Sequence, residues 1–185
     1  MGKIEDLAAV YERQISAPWQ RTIAGAQRVM LVVYDKELER SLRARIGEFE
    51  QATTRSGHEW HLVNCTNWFA EWMAADEYRD SYFEEPSLLT MKLEGEFKAL
   101  ASKRLTDALA EANENTVVAI LGAASLFGFL RISELVRDVE QSINGRLLIY
   151  FPGTKNDNNY RLLDARDGWN YLANGITLHG EGVTQ

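Results

Sequence analysis

The chain has 185 residues, 45% hydrophobic and 25% charged, the balance of one soluble globular domain rather than a collagen-like, disordered or disulfide-scaffold chain. Its 20 basic and 27 acidic side chains leave a net charge of −7, so a bulk basic surface for tracking nucleic acid is missing. The single cysteine, Cys65, cannot form an internal disulfide and points to a reducing, cytoplasmic compartment.

No apolar run approaches the roughly 18 residues that span a bilayer, and Met1 to Asp6 is too polar for a signal peptide. The first segment carries Ile4, Leu7, Tyr11 and Ile15 at helical spacing and should stop near Ala17, because Pro18 disfavours helix in the residue before it. Val29 to Tyr34 is a continuous apolar run, the pattern of a strand covered on both faces in a parallel sheet. Leu38, Leu42, Ile46 and Phe49 then mark a helix, and Glu59 to Asn64 a second strand.

Thr66 is placed to cap a helix with Trp68, Phe69, Trp72 and Met73 on one face. Glu71 to Glu85 follows, with six acids and one arginine. Beyond Pro86, Leu89, Leu93, Phe97, Leu100, Leu105 and Leu109 predict a long helix. Thr116 to Leu121 reads as a third buried strand, Ser125 as the cap of a helix through Ile143, and Arg146 to Phe151 as a fourth strand closed by Pro152-Gly153.

This alternation predicts an α/β three-layer sandwich with a mostly parallel central sheet, its first and third strands central and neighbouring. One domain is expected over 1–185, with a frayed tail from about residue 175 that includes His179.

In such a sheet, ligands gather beyond the carboxyl ends of the strands. Gly122 to Gly128 joins a strand to a helix, yet it lacks the lysine and the run of glycines that cradle a phosphate, and Leu126 and Phe127 crowd the turn. Asp35 ends the first strand where a magnesium-holding carboxylate would sit, but it also suits a helix cap. Cys65 and His61 are about 13 Å apart along an extended strand, too far for a nucleophile and its base. His58 and His61, three apart on a strand, point to opposite faces and cannot share a metal. Neither a metal nor a cofactor is expected. A degenerate nucleotide site would draw on Asp35, Ser125 and Lys155. Direct DNA binding would draw on Arg137, Arg146, Lys155, Arg161 and Arg166, against the net charge.

The richest polar stretch is Asn158 to Tyr171. One reading is an ordered surface loop held by ion pairs. The other is a recognition patch built on Asn158, Asn159, Tyr160, Arg161, Arg166, Asp167 and Trp169, since Arg, Trp and Tyr anchor interfaces. Trp68 and Trp72 are a further candidate surface, with a covered core face as the alternative.

The order of elements resembles the B component (BrxB-like) family of bacteriophage-exclusion (BREX) defence systems. The likeness runs over most of residues 28 to 164. It lies in the acidic-aromatic helical insertion before Pro86, the strand Val117-Val118-Ala119-Ile120-Leu121-Gly122, and the strand Leu147-Leu148-Ile149-Tyr150-Phe151-Pro152-Gly153 with the following Asn159-Tyr160-Arg161-Leu162-Leu163. The resemblance implies a Rossmann-like or phosphate-loop-NTPase-like fold without the nucleotide loop, and a non-enzymatic component of an antiviral complex. It also implies partners: a large alkaline-phosphatase-like defence protein, a DNA methyltransferase and an ATPase. It brings no catalytic residues.

Overall fold

The computed structural model describes residues 2–178. Four parallel strands, β1 (Val29–Tyr34), β2 (Glu59–Asn64), β3 (Thr116–Leu121) and β4 (Arg146–Asn156), are joined by a short fifth, β7 (Asn174–Ile176). The order across the sheet is β2-β3-β4-β1-β7. Helix α1 (Lys3–Ile15) ends just before Pro18, as its sequence predicts, and packs with α2 (Glu39–Ala44) and α3 (Ile46–Arg55) on one face of the sheet. Helices α4 (Trp68–Ala75), α7 (Lys98–Glu111) and α8 (Ile132–Val139) cover the other. The protein is therefore an α/β three-layer sandwich with a mostly parallel central sheet. Every residue of β1 and β3 is buried, which is what continuous apolar runs between two helical layers require.

Strand order departs from expectation: β4 lies between β1 and β3, so those two are not neighbours. All three runs are apolar on both faces, and periodicity cannot rank interchangeable central strands. Gly145 is part of what admits β4 beside β3, because a Cβ there would lie 2.2 Å from the Thr116 carbonyl oxygen.

Several local expectations are also revised. The helix around Leu42 breaks at Arg45 into α2 and α3. Thr66 does not cap α4; Asn67 occupies that position, and the Thr66 hydroxyl donates to Asn64 Oδ1 at 2.5 Å. Ser125 lies inside a 3-10 turn, Ala123–Leu126, while α8 starts only at Ile132 after Arg131. Gly122, at φ +97°, makes that turn possible, and a Cβ on it would meet Thr66 Oγ1 at 2.5 Å. The long helix predicted beyond Pro86 is present as one helical run to Glu111, entered by a 3-10 turn at Pro86–Leu89 and made of α6 (Thr90–Lys92), a π turn at Leu93–Phe97 and α7.

The fourth strand does not close at Pro152-Gly153. It runs on to Asn156, leaves the parallel sheet and pairs antiparallel with β5 (Asn159–Leu162), which pairs with β6 (Trp169–Asn170). Asp157, at φ +51°, takes the left-handed conformation in the two-residue turn, which Asp and Asn tolerate best after glycine. The tail expected to fray from about residue 175 begins inside β7, where Ile176 is fully buried against the α1 face. His179 lies outside the described residues. Among those described, no helix is long and apolar enough to cross a membrane.

Candidate functional site

Two concavities lie at the carboxyl end of the sheet. Adjacent strands β1 and β4 send their chains to opposite faces: β1 leads to α2 and α3, β4 to β5 and β6 on the other side. That divergence makes a switch point, where α/β sheets open a crevice. A cavity of about 900 Å³ occupies it, lined among others by Lys3, Asp35, Lys36, Lys155 and Asp164. Asp35 Oδ1 accepts from the Glu37 backbone N–H at 3.4 Å, the capping role open to it. Hydrogen bonding at Glu37, from the side chain and then the backbone, lowers the Asp35 carboxyl pKa. Lys36 Nζ donates to Asp164 Oδ2 at 2.5 Å, and that bond raises the lysine's pKa.

The residues suggested for a degenerate nucleotide site are only partly assembled. Asp35 and Lys155 share this crevice, but Ser125 follows β3, two strands from β1, and does not line it. The five basic residues considered for DNA do not form one patch. Arg146 opens β4 and Lys155 is nine residues further along it, about 30 Å away in an extended chain, and Arg137 is on α8.

The second concavity, about 500 Å³, lies over the α7/α8 face. The π turn, the loop from Phe127 to Arg131 and the β5–β6 segment form its walls. Phe151, Tyr160, Leu162 and Trp169 give it an apolar floor, and Phe127, 45% exposed, stands at its edge. Phe129 is fixed by stacking on Phe69 of α4, with ring centroids 3.7 Å apart. Charges of both signs surround the floor: Arg166, Arg131 and Lys98 against Asp167, Glu94 and Glu134. Lys98 reaches Glu134 at 3.3 Å, and Arg131 and Arg166 are exposed.

This groove collects Tyr160, Arg166, Asp167 and Trp169 from the expected recognition patch, but with altered roles. Tyr160 is buried rather than displayed. Its ring meets Phe151 edge-on and its hydroxyl donates to the Ala173 carbonyl at 3.2 Å, so it forms the floor. The alternation of β5 sends Arg161 to the face opposite Tyr160 and Leu162, away from the groove. Asn158 lines the switch-point crevice instead, and its carbonyl accepts from the Tyr171 N–H at 2.9 Å. Asn159 is exposed in β5 and packs where a Cβ on Gly168 would be, 2.2 Å from its side-chain oxygen.

Trp68 is buried in the core, so it offers no docking surface, and Trp72 is half-buried with its ring centroid 5.3 Å from that of Phe97. Cys65 is buried and its thiol donates to the Leu121 carbonyl at 3.2 Å; burial pushes its pKa up to about 12. His58 precedes β2 and stacks on Trp19 at 3.7 Å, with its ring nitrogens against Asn115 Oδ1 and the Ile15 carbonyl. Among the described residues, no three His, Cys, Asp or Glu side chains converge as metal ligands.

Phe127 and Phe129 were missed as groove residues because Phe127 reads only as crowding the turn and Phe129 falls in register with the apolar positions of a helix that in fact starts later, at Ile132. The Gly128 between them, at φ +84°, was the available clue to a turn that splays its neighbours. Comparison with protein-family models, curated proteins and solved structures finds no match to any of the three.

Proposed function

We propose that this protein is a docking component without catalysis of its own, and that its groove between the β5–β6 segment and the 127–131 loop receives a segment of a larger protein. One observation carries this: an apolar floor ending in Trp169 and Phe127 is bordered by exposed Arg166, Asp167 and Arg131. Interfaces concentrate their energy in such an aromatic centre with a charged rim. The resemblance of residues 117–122, 147–153 and 159–163 to the BrxB-like family suggests the setting, a BREX anti-phage complex in the bacterial cytoplasm. It also suggests the first partner to test, an alkaline-phosphatase-like defence protein, with the methyltransferase and ATPase as further candidates.

The test is gel filtration of the purified chain with the phosphatase-like protein. A joint peak is expected at micromolar concentration, and separate elution there overturns the assignment. Arg166→Ala with Trp169→Ala should weaken the complex at least about tenfold while leaving the fold intact.

A second reading rests on the switch-point crevice, where Lys3, Lys36 and Lys155 lie around one cavity. It is a nucleotide-binding or hydrolysing role that uses Asp35 and Lys155. Calorimetry with ATP or GTP and magnesium separates the two, since saturable heat abolished by Lys155→Ala supports the crevice.

A further inference from the structure

We propose that the helical insertion between α4 and α7 is a second docking surface, and that it receives a basic amphipathic helix of a partner protein. The insertion comprises α5 (Arg79–Glu84), a 3-10 turn at Pro86–Leu89, and α6. Between Met73 and Phe97 no residue is buried, although every one of them is described. Tyr78 is 59% exposed, Phe83 69%, Leu88 52% and Met91 85%. These are four of the seven large apolar side chains exposed among the described residues, and they fall within one short stretch.

A helix as short as α5 does not hold alone in water, because nucleation is costly and few backbone bonds follow it. Here Lys92, on α6, which continues through the π turn into α7, ties α5 to that longer helix. It lies 2.7 Å from Asp76 and 3.6 Å from Glu96, with its ammonium 5.6 Å from the centre of the Tyr82 ring. Only Tyr82 and Leu89 are even half-buried between Glu77 and Met91. The insertion is thus tethered at its base while its larger apolar groups face outward, an arrangement that exposed patches of docking surfaces share.

Charge selects the occupant. Seven acidic and two basic side chains lie between Asp76 and Glu96. Both cations are engaged: Lys92 as above, and Arg79 by the Ala74 carbonyl at 2.7 Å and Asp80 at 4.0 Å. Glu77, Glu84, Glu85 and Glu94 have no basic partner among the described residues. That field repels nucleic acid and anionic lipid and attracts lysine- or arginine-rich protein. The insertion is short helices joined by turns at 76–78 and at Glu85 and contains no strand, so added-strand pairing has no edge to extend, and helix-on-helix packing of apolar anchors remains. Thr90, Leu93 and Glu94 of this stretch line one wall of the groove, but Tyr78, Phe83, Leu88 and Met91 do not, so variants at these four test this surface without touching the groove's lining.

The probe is a fluorescent peptide of about five helical turns, leucine on one face and lysine on the other, with a glutamate counterpart, titrated by anisotropy against the full chain. The lysine peptide should bind with a Kd of about 100 μM or tighter in low salt and weaken several-fold in 0.5 M salt. The glutamate peptide should not bind. Phe83→Ser with Met91→Ser should weaken the lysine peptide at least about tenfold with an unchanged circular dichroism spectrum, and Trp169→Ala should have no effect. The proposal is overturned by an absence of saturation, by equal binding of both peptides, by binding that survives Phe83→Ser/Met91→Ser, or by loss through Trp169→Ala. A dimer of the chain that Phe83→Ser/Met91→Ser dissociates also overturns it, by assigning the patch to a second copy.

Discussion

Trp169 stacks on Tyr171 with ring centroids 4.4 Å apart and planes 24° from parallel, and the Tyr171 hydroxyl donates to Glu140 Oε2 at 2.7 Å. Tyr171 thereby ties the β5–β6 segment to the end of α8. Burial, then the Glu140 carboxylate, raises the Tyr171 pKa well above that of a free phenol.

Tyr171→Phe removes this tie while keeping the stack. Loss of one hydrogen bond to a carboxylate should cost about 1 kcal/mol, read as a Tm lowered by about 2–4 °C. A changed tryptophan emission should accompany it if the Trp169 environment loosens, and an unaltered melt and spectrum would show that the bond does not position the groove.

Arg161 and Arg166 are separated by their faces, not by their chemistry. On the docking role proposed above, Arg166→Ala should weaken binding of the phosphatase-like protein named there several-fold, and Arg161→Ala should leave it within about twofold. Pull-down titrations decide it, and the reverse ranking would place the interface on the far side of β5.

Tyr150 is fully buried, packs edge-on to Phe49 at 5.1 Å, and its hydroxyl has no hydrogen-bond partner among the described residues. An unpaired buried hydroxyl costs stability. Tyr150→Phe should therefore be neutral or stabilising by up to about 1 kcal/mol, with an equal or higher Tm. A clear loss of stability would mean that the hydroxyl is satisfied in solution.

Cys65 should resist alkylation. With its pKa near 12, the thiolate is scarce at pH 8, and burial blocks approach. Iodoacetamide should react at least about a thousandfold more slowly with the native chain than with the urea-unfolded chain. Comparable rates would show that the β2–α4 junction opens readily.

Acid should destabilise the fold only below the ordinary carboxylate range. Arg55, 2.8 Å from Glu12, and Lys92, 2.7 Å from Asp76, hold those carboxyls below their usual pKa values. A depressed folded pKa contributes stability that is fully present above the unfolded value, about 4, and is lost as pH falls through the folded one. Urea midpoints should thus be insensitive to these groups between pH 7 and 5 and fall below about pH 4. Arg55→Met with Lys92→Met should flatten that decline, and an unchanged decline would assign acid sensitivity to other groups.

Residue patterns go far toward the fold here because burial on both faces writes itself into β1, β3 and β4 as continuous apolar runs. The end of α1 was equally legible, since Pro18 acts through its immediate neighbour. The candidate site was legible only in composition. Asn158 to Tyr171 stood out for its arginines and aromatics, but the turn at Asp157 and the pairing of β5 with β4 decide which of them face the groove. Tyr160 became floor, Arg161 was turned away, and Phe127 entered from a loop more than 30 positions earlier.

By itself the amino-acid order determined an α/β sandwich with buried parallel strands, an acidic net charge and a single cysteine, because these depend on local periodicity and on counts. Tertiary structure alone decided that β4 separates β1 from β3, that Asn174–Ile176 completes the sheet beside β1, and that a groove forms where three distant segments meet. Those outcomes depend on which of several equally apolar surfaces pack together, a competition among long-range contacts that no window of neighbouring residues records.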